Sequence, residues 1–182
     1  MALKYQPILA ADEIFTGTDK TLQFQVTTGD KIVVSADMAV AATTVSVKAL
    51  TEAIANDSNI RFSKNGKVNL DAAGSVGNTT LTLAVTTIAL FIGDVGYVIQ
   101  DITGWTFDFV IKRYANSPDA ILTLTPSIAV AADGTVNVAL IDTDTTGFVA
   151  DETYFYTLRR SNAGSEDVLA YGEFVFKKPT VG

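Results

Sequence analysis

Cysteine and histidine are both absent from this 182-residue chain. Their absence excludes disulfides, thiolate nucleophiles, Cys/His zinc sites and imidazole acid–base chemistry together. Long apolar runs are scarce too. The longest, Leu81–Ile92, has 12 residues of which three are threonine, whereas a membrane-spanning helix needs about 20 with few polar interruptions. No charged start followed by an apolar core and a cleavage site opens the chain, so no secretory signal is expected. Positive charge is sparse: 13 Lys+Arg stand against 20 Asp+Glu, a formal charge of −7. No basic cluster is longer than Arg159-Arg160 or Lys177-Lys178. Phosphate contacts need converging cations, so nucleic acid is not an expected partner.

What is present is alternation. In Gly104–Arg113, Trp105, Phe107, Phe109 and Ile111 share one face, and Thr106, Asp108, Val110 and Lys112 the other. This is the pattern of a strand packed on one side. Trp105 is the single tryptophan, and its truncation is expected to cost about 3–5 kcal/mol if it anchors the core. Lys20–Thr27 alternates in the same way, with Leu22, Phe24 and Val26 inward and Thr28-Gly29-Asp30 as the expected stop. Downstream, Leu122 and Leu124 open another strand, and Pro126 marks an edge or a kink. Asp133-Gly134 is a hairpin signal between Ile128/Val130 and Val136/Val138/Leu140. Tyr154–Arg160 and Asp167–Lys177 form a last pair, in which Gly172 indicates a bulge or a close backbone approach. About seven strands at this spacing predict an all-β, immunoglobulin-like sandwich, in architecture only because the antibody disulfide is missing.

Residues 31–100 differ in texture, being rich in Ala, Thr and Val. Ala42-Thr-Thr-Val-Ser-Val47 matches Asn78-Thr-Thr-Leu-Thr-Leu83 at a separation of 36 residues. Neither copy could bury its apolar face alone, so two copies related by a pseudo-twofold are expected to close a small β barrel or sandwich. Asn65-Gly66 predicts a type I′ hairpin turn, and Thr51–Asn56 a turn or two of helix. The simplest organisation is an N-terminal arm (1–17), a discontinuous sandwich domain (18–30 plus 101–178) and an inserted β module (31–100) with two repeats.

Chemical constellations are weak. Asp142 and Asp144 could hold calcium, but a full loop needs more ligands and a distal glutamate as well as a mid-loop glycine, and Gly147 alone does not supply that pattern; Asp and Thr also cap turns with their own side chains. The carboxylate pairs Asp12-Glu13, Asp151-Glu152 and Glu166-Asp167 read as solvated turn charges rather than a glycosidase pair across a cleft. Asp108 is expected to be exposed or paired with a Lys or Arg on the next strand. Neither an enzyme nor a cofactor, metal or small-molecule substrate is expected. Tyr97, Tyr114 and Tyr171 are the only candidates for the exposed aromatic row of a carbohydrate-binding module. In the N-terminal arm Leu3, Tyr5, Ile8, Leu9, Ile14 and Phe15 all need cover. Either they lie along their own domain or they dock on a partner.

Gly17-Thr-Asp19-Lys-Thr21, Asp101-Ile-Thr-Gly104 leading into Trp105–Arg113, the Asp133-Gly134 hairpin with Val136 and Val138, Tyr154–Leu158 and Gly172–Phe176 occur in a telling order. Together they cover about 95 residues in two pieces. In that order the chain resembles the N-terminal domain of the baseplate upper protein family of tailed phages and its short free-standing relatives. The Ala-Thr-Thr-Val-Ser-Val phrasing looks like repeats in phage head-decoration and fibre proteins. The resemblance implies a non-enzymatic virion structural protein. As a capsid cement or decoration protein it would bind major capsid protein on the outer surface, as a homo-oligomer (dimer or trimer), with the arm as a clamp. As a baseplate or tail protein it would sit elsewhere on the virion.

Overall fold

The structure, a computed structural model, describes residues 3–7, 14–15, 19–62 and 66–177. Among them the protein is all-β. In chain order the strands are β1 (Leu3–Pro7), β2 (Ile14–Phe15), β3 (Lys20–Val33), β4 (Thr44–Ser46), β5 (Asn59–Phe62), β6 (Gly66–Asn69), β7 (Thr80–Thr82) and β8 (Val95–Ile99). They continue with β9 (Phe107–Lys112), β10 (Leu122–Leu124), β11 (Ser127–Val130), β12 (Thr135–Leu140), β13 (Thr153–Arg160) and β14 (Asp167–Lys177). A 3-10 turn at Ala131–Asp133 and a four-residue helix, α1 (Asp142–Thr145), are the exceptions. The chain forms two compact units: one contains Thr27–Gln100, the other contains Asp101–Lys177 with β3 up to Val26.

The second unit is a sandwich of two antiparallel layers. One runs β11-β12-β3, the other β10-β9-β13-β14, with β2 added in parallel at Phe176 and Lys177. This is the D-E-B layer facing the C′-C-F-G layer of an immunoglobulin-type fold. Alternation explains the layers. Leu22 and Phe24 of β3, Phe107, Phe109 and Ile111 of β9, and Val136, Val138 and Leu140 of β12 are all buried. The chain changes layer between β10 and β11 at the buried Pro126, where a residue with no N–H to donate fits a break in the ladder.

An aromatic layer joins the two sheets. Phe24 lies 5.8 Å from Phe109 and 5.9 Å from Tyr156, and Phe109 stacks on Tyr156 at 5.6 Å. Tyr156 continues to Phe174 at 5.7 Å, then Phe174 to Phe176 and Phe176 to Phe148. Buried Tyr154 accepts the Val149 N–H at 2.9 Å. A tyrosine at the start of this strand bonded to backbone a few residues upstream is the tyrosine corner of immunoglobulin-type sandwiches. The second cysteine of an antibody domain would stand two residues on, at Tyr156. Here a ring contact with Phe24 spans the layers instead.

Trp105 departs from expectation. It is only half-buried and precedes the strand, because its N–H closes a turn onto the Ile102 carbonyl at 3.0 Å. The Arg160 guanidinium covers its ring at 4.0 Å, a cation–π contact. The inward face of β9 therefore begins at Phe107. Thr28-Gly29-Asp30 does not stop β3 either. The strand continues to Val33 through a register shift between Thr28 and Ile32, which Gly29 permits at φ 76°. Gly172 marks the close approach rather than a bulge: it lies directly opposite Tyr156, whose hydroxyl would come within 2.8 Å of an added Cβ. The bulge in that ladder falls between Leu158 and Arg159.

The first unit obeys the expected pseudo-twofold. β4 pairs with its own repeat, β7, as Thr44↔Thr82, Val45↔Leu81 and Ser46↔Thr80. Adding or subtracting 36 exchanges the outer two pairs and leaves the middle one in place. The same operation converts Ile60↔Val98 into Phe62↔Gly96, Val34↔Val47 into Leu70↔Leu83, and Met38↔Leu90 into Ile54↔Gly74. β3 and β8 at Ile32↔Gly96 map onto β6 and β5 at Ile60↔Val68. The core is correspondingly paired: Ile32 with Val68, Val34 with Leu70, Val45 with Leu81, Val47 with Leu83 and Ile54 with Leu90 are all buried. Thr51–Asn56 is not helical, since Ile54 bridges to Gly74 there. In the β5–β6 hairpin, Phe62 pairs with Gly66. Gly66 is thus a strand residue rather than the second residue of a two-residue turn, and residues 63–65 lie outside the described residues.

Phe109→Ala should cost about 3–5 kcal/mol because the ring joins both layers. Trp105→Ala should cost about 1–2 kcal/mol, from partial burial and one cation–π contact. Urea unfolding midpoints measure both, and equal losses would restore Trp105 to the core.

Candidate interaction surface

The carboxylates considered in the sequence are engaged in local structure. Asp144 accepts the Ile141 N–H at 3.1 Å, Asp142 accepts the Thr143 N–H at 2.6 Å, and Asp19 accepts the Asp142 N–H at 2.8 Å. These are turn and helix-end caps. Asp108 pairs with Arg159, its cross-strand neighbour, at 2.9 Å. Glu152 takes a two-pronged bond from Arg113 at 2.8 and 2.7 Å, and the adjacent carboxylate raises the Arg113 pKa. Asp151 meets Lys177 at 3.4 Å, and Glu166 accepts the Gly164 N–H at 3.2 Å. Asp12 and Glu13 lie outside the described residues. Among the described residues no metal-holding group of three or more Asp or Glu forms.

Asp101 caps its own turn. Its carboxylate accepts the Thr103 hydroxyl at 2.7 Å and the Thr103 N–H at 2.8 Å. Those two bonds, the hydroxyl first, hold its pKa below the ordinary aspartate value. At the other end of the Trp105 turn, Asn162 accepts the Thr106 N–H at 2.8 Å and donates to the Gly104 carbonyl at 3.1 Å. These bonds shape a loop rather than a cleft.

The arm residues divide. Leu3 and Tyr5 fall in β1, which pairs with β3, and Ile14 and Phe15 in β2, which pairs with β14. Ile8 and Leu9 lie outside the described residues. Of the three tyrosines, Tyr97 belongs to the first unit, Tyr114 and Tyr171 to the second, so neither unit presents all three.

The most distinctive exposed apolar side chains are those of the repeat module. Val40 and Val76 are repeat-equivalent, and both are more than half exposed. Each occupies the second position of a turn: Ala42 N–H bonds Ala39 O at 3.3 Å and Asn78 N–H bonds Ser75 O at 3.0 Å. The third position has positive φ in both, Ala41 at 66° and Gly77 at 86°, as a type II turn requires. A third such turn carries Phe91 and Ile92, closed by Asp94 N–H on Phe91 O at 2.9 Å. Asp94 also accepts the Phe91 N–H and Asp37 the Ile92 N–H, at 2.9 and 2.8 Å. Phe91, Ile92 and the nearby Val85 are again more than half exposed. Their first-copy counterparts are Ala55, Asn56 and Ala49. The fold therefore accepts small or polar residues there, and core packing does not explain the apolar ones. The repeat in the sequence pointed to the paired core; the exposed turn positions needed the turn geometry.

No protein-family model, curated protein or solved structure matches this chain.

Two outcomes follow from these turns and caps. Ala41→Gly should gain up to about 1 kcal/mol and Gly77→Ala should lose about 1 kcal/mol, because only glycine adopts positive φ freely; thermal unfolding of the two variants measures both signs. Asp101 should titrate below a free aspartate by NMR. A depressed folded-state pKa contributes stability above the unfolded value and loses it as pH falls through the folded value. Asp101→Asn should therefore remove a stability increment present at neutral pH that the parent loses as pH falls through the lowered carboxyl pKa.

Proposed function

We propose that this protein is a non-enzymatic structural component of a tailed-phage virion, a cement or decoration protein bound over joints between major capsid subunits on the outer head surface. The observation that carries this reading is the set of apolar turn residues on the repeat module, Val40 and Val76 with Phe91 and Ile92. Side chains presented on hydrogen-bonded turns beyond what packing needs fit burial against another protein. The charge distribution favours the module as the docking unit. Residues 27–100 carry five Lys+Arg and six Asp+Glu, leaving eight and 14 to the rest of the chain. A near-neutral surface meets less like-charge resistance when it desolvates than an acidic one. The described parts of the N-terminal arm pair within the chain, so the module rather than the arm makes the primary contact in this reading. A homo-oligomer on a local symmetry axis follows by analogy.

A baseplate or tail position is the second reading, favoured by the order of sandwich motifs from Gly17 to Phe176. Copy number separates the two: a cement protein is present at hundreds of copies per virion by analogy, a tail protein at far fewer. A carbohydrate-binding module is the reading from another class, and glycan-array binding would support it.

The test mixes purified protein with undecorated capsids and records capsid heat stability. The parent should raise it, while the folded double variant Val40→Asp/Val76→Asp should bind at least about tenfold more weakly, roughly 1.4 kcal/mol. Undiminished binding by that variant would remove the module from the interface. A folded parent that never binds capsids would remove the cement reading altogether.

A further inference from the structure

The two layers of the sandwich can be compared with each other, because each has an outer face and the fold asks the same of both. On β3 and β12 the outward residues are Thr21, Gln23, Gln25, Thr135, Asn137 and Ala139, set side by side across the ladder. All but one are polar. Gln23 donates to Asn137 and Gln25 to the Asp133 carbonyl, each at 3.1 Å, as on a sheet face turned to water. The outward face of β9, β13 and β14 is different. Its cross-strand rows are Lys112–Phe155–Glu173, Val110–Thr157–Tyr171 and Asp108–Arg159–Val168. Tyr171 is 80 % exposed and Val168 60 %, with Phe155 and Val110 half-buried beside them. The first layer shows that the sandwich needs no apolar side chains on an outer face.

Two grooves of about 430 and 420 Å³ lie on this face, and Thr157 and Val168 line both. The first is bordered by Phe155, Tyr171 and Glu173, the second by Val110, Lys112 and Thr123. The connection from β9 to β10 walls them, Ala115 at the first and Pro118 at the second. Charge divides in the same way. Glu173 is exposed and has no ion-pair partner among the described residues. Lys112 donates to the uncharged Ser117 carbonyl at 2.7 Å, so its charge is not neutralised there. Arg159, by contrast, is balanced by Asp108 at 2.9 Å.

We propose that this face binds the same face of a second copy of the chain, forming an isologous dimer. A half-turn about a line along β13 exchanges β9 with β14 and keeps each row at its own level. Lys112 then meets Glu173 of the partner subunit, and the contact occurs twice. The same operation sets the protruding Tyr171 into the groove beside Val110 of the partner subunit. Arg159 falls on the axis and brings its own counter-ion. A tyrosine seated in a groove and rimmed by opposite charges is a common anchor of protein interfaces. A sugar could stack on Tyr171, but it would give no reason for opposite charges placed symmetrically about β13. The proposed function takes its homo-oligomer from analogy, whereas this inference names the contact; purified protein tests it without capsids, so either can fail alone.

The test is sedimentation equilibrium of the full chain from about 1 to about 300 µM, a range that brackets a micromolar Kd. The mass should rise with concentration from 19.3 kDa towards twice that value. Tyr171→Ser, at an exposed position, should weaken the dimer at least about tenfold. Glu173→Lys and Lys112→Glu should each weaken it about as much, because each sets like charges opposite one another. An equimolar mixture of those two variants should dimerise about as tightly as the parent, since both contacts of the mixed dimer again join opposite charges. If Lys112→Glu fails to fold, the loss in Glu173→Lys should still shrink as salt is raised. A monomer throughout, a trimer, a mixture no tighter than its components or a Glu173→Lys loss indifferent to salt would each overturn the proposal. Dimers kept in Tyr171→Ser but lost in Val40→Asp/Val76→Asp would overturn it by moving the contact to the repeat module. A monomer that binds oligosaccharides through Tyr171 would overturn it by giving the face to a sugar.

Discussion

The contact among Phe24, Phe109 and Tyr156 holds the sandwich to its own topology. Antibody domains join the same two layers with a disulfide packed against a tryptophan. This chain has no cysteine and uses three rings within 6 Å of one another. Ring pairs at this separation add about 0.5–1.5 kcal/mol each beyond their burial, and unlike a disulfide they need no oxidising compartment. The dependence reaches outward. Tyr156 can lie over β14 only because Gly172 opposite it has no side chain. Two residues away, Tyr154 turns its hydroxyl onto Val149 and thereby sets where the α1 connection rejoins the sheet.

The repeat module reaches stability by a different route. Each copy supplies one half of every core pair, and the two strands nearest the pseudo-twofold, β4 and β7, are images of each other. Identical halves would make identical surfaces and identical pockets. The departures from symmetry are therefore informative. Gly74 stands where the first copy has Met38, and an added Cβ would come within 2.9 Å of Leu50 and Leu81; that difference adjusts packing. Ala55 and Asn56 against Phe91 and Ile92 adjust no packing that the fold requires. They are the positions at which the two copies have acquired separate chemistry.

Most strands were legible because a period of two survives in the residues themselves. Leu22/Phe24/Val26, Phe107/Phe109/Ile111, Val136/Val138/Leu140 and Tyr154/Tyr156/Leu158 each mark one face. The internal match of Ala42–Val47 with Asn78–Leu83 was equally plain. Trp105 was misleading because alternation does not report where a strand begins. The left-handed Gly104 at φ 75° and the turn it closes pull the indole out of the layer and under Arg160. Thr28-Gly29-Asp30 misled for a related reason. A glycine with positive φ can end a strand or bulge it, and the partner strand β8 selects the bulge.

Local pattern alone determined the fold class, the duplication and the faces of the strands, since these follow from side-chain alternation and from residues that repeat. Tertiary structure decided the rest. Which rings meet across the layers, which glycine lies under a tyrosine and which valines are left outside all depend on residues distant in sequence becoming neighbours. Burial and hydrogen-bond satisfaction are properties of those neighbours, not of the residue, and no one-dimensional pattern records them.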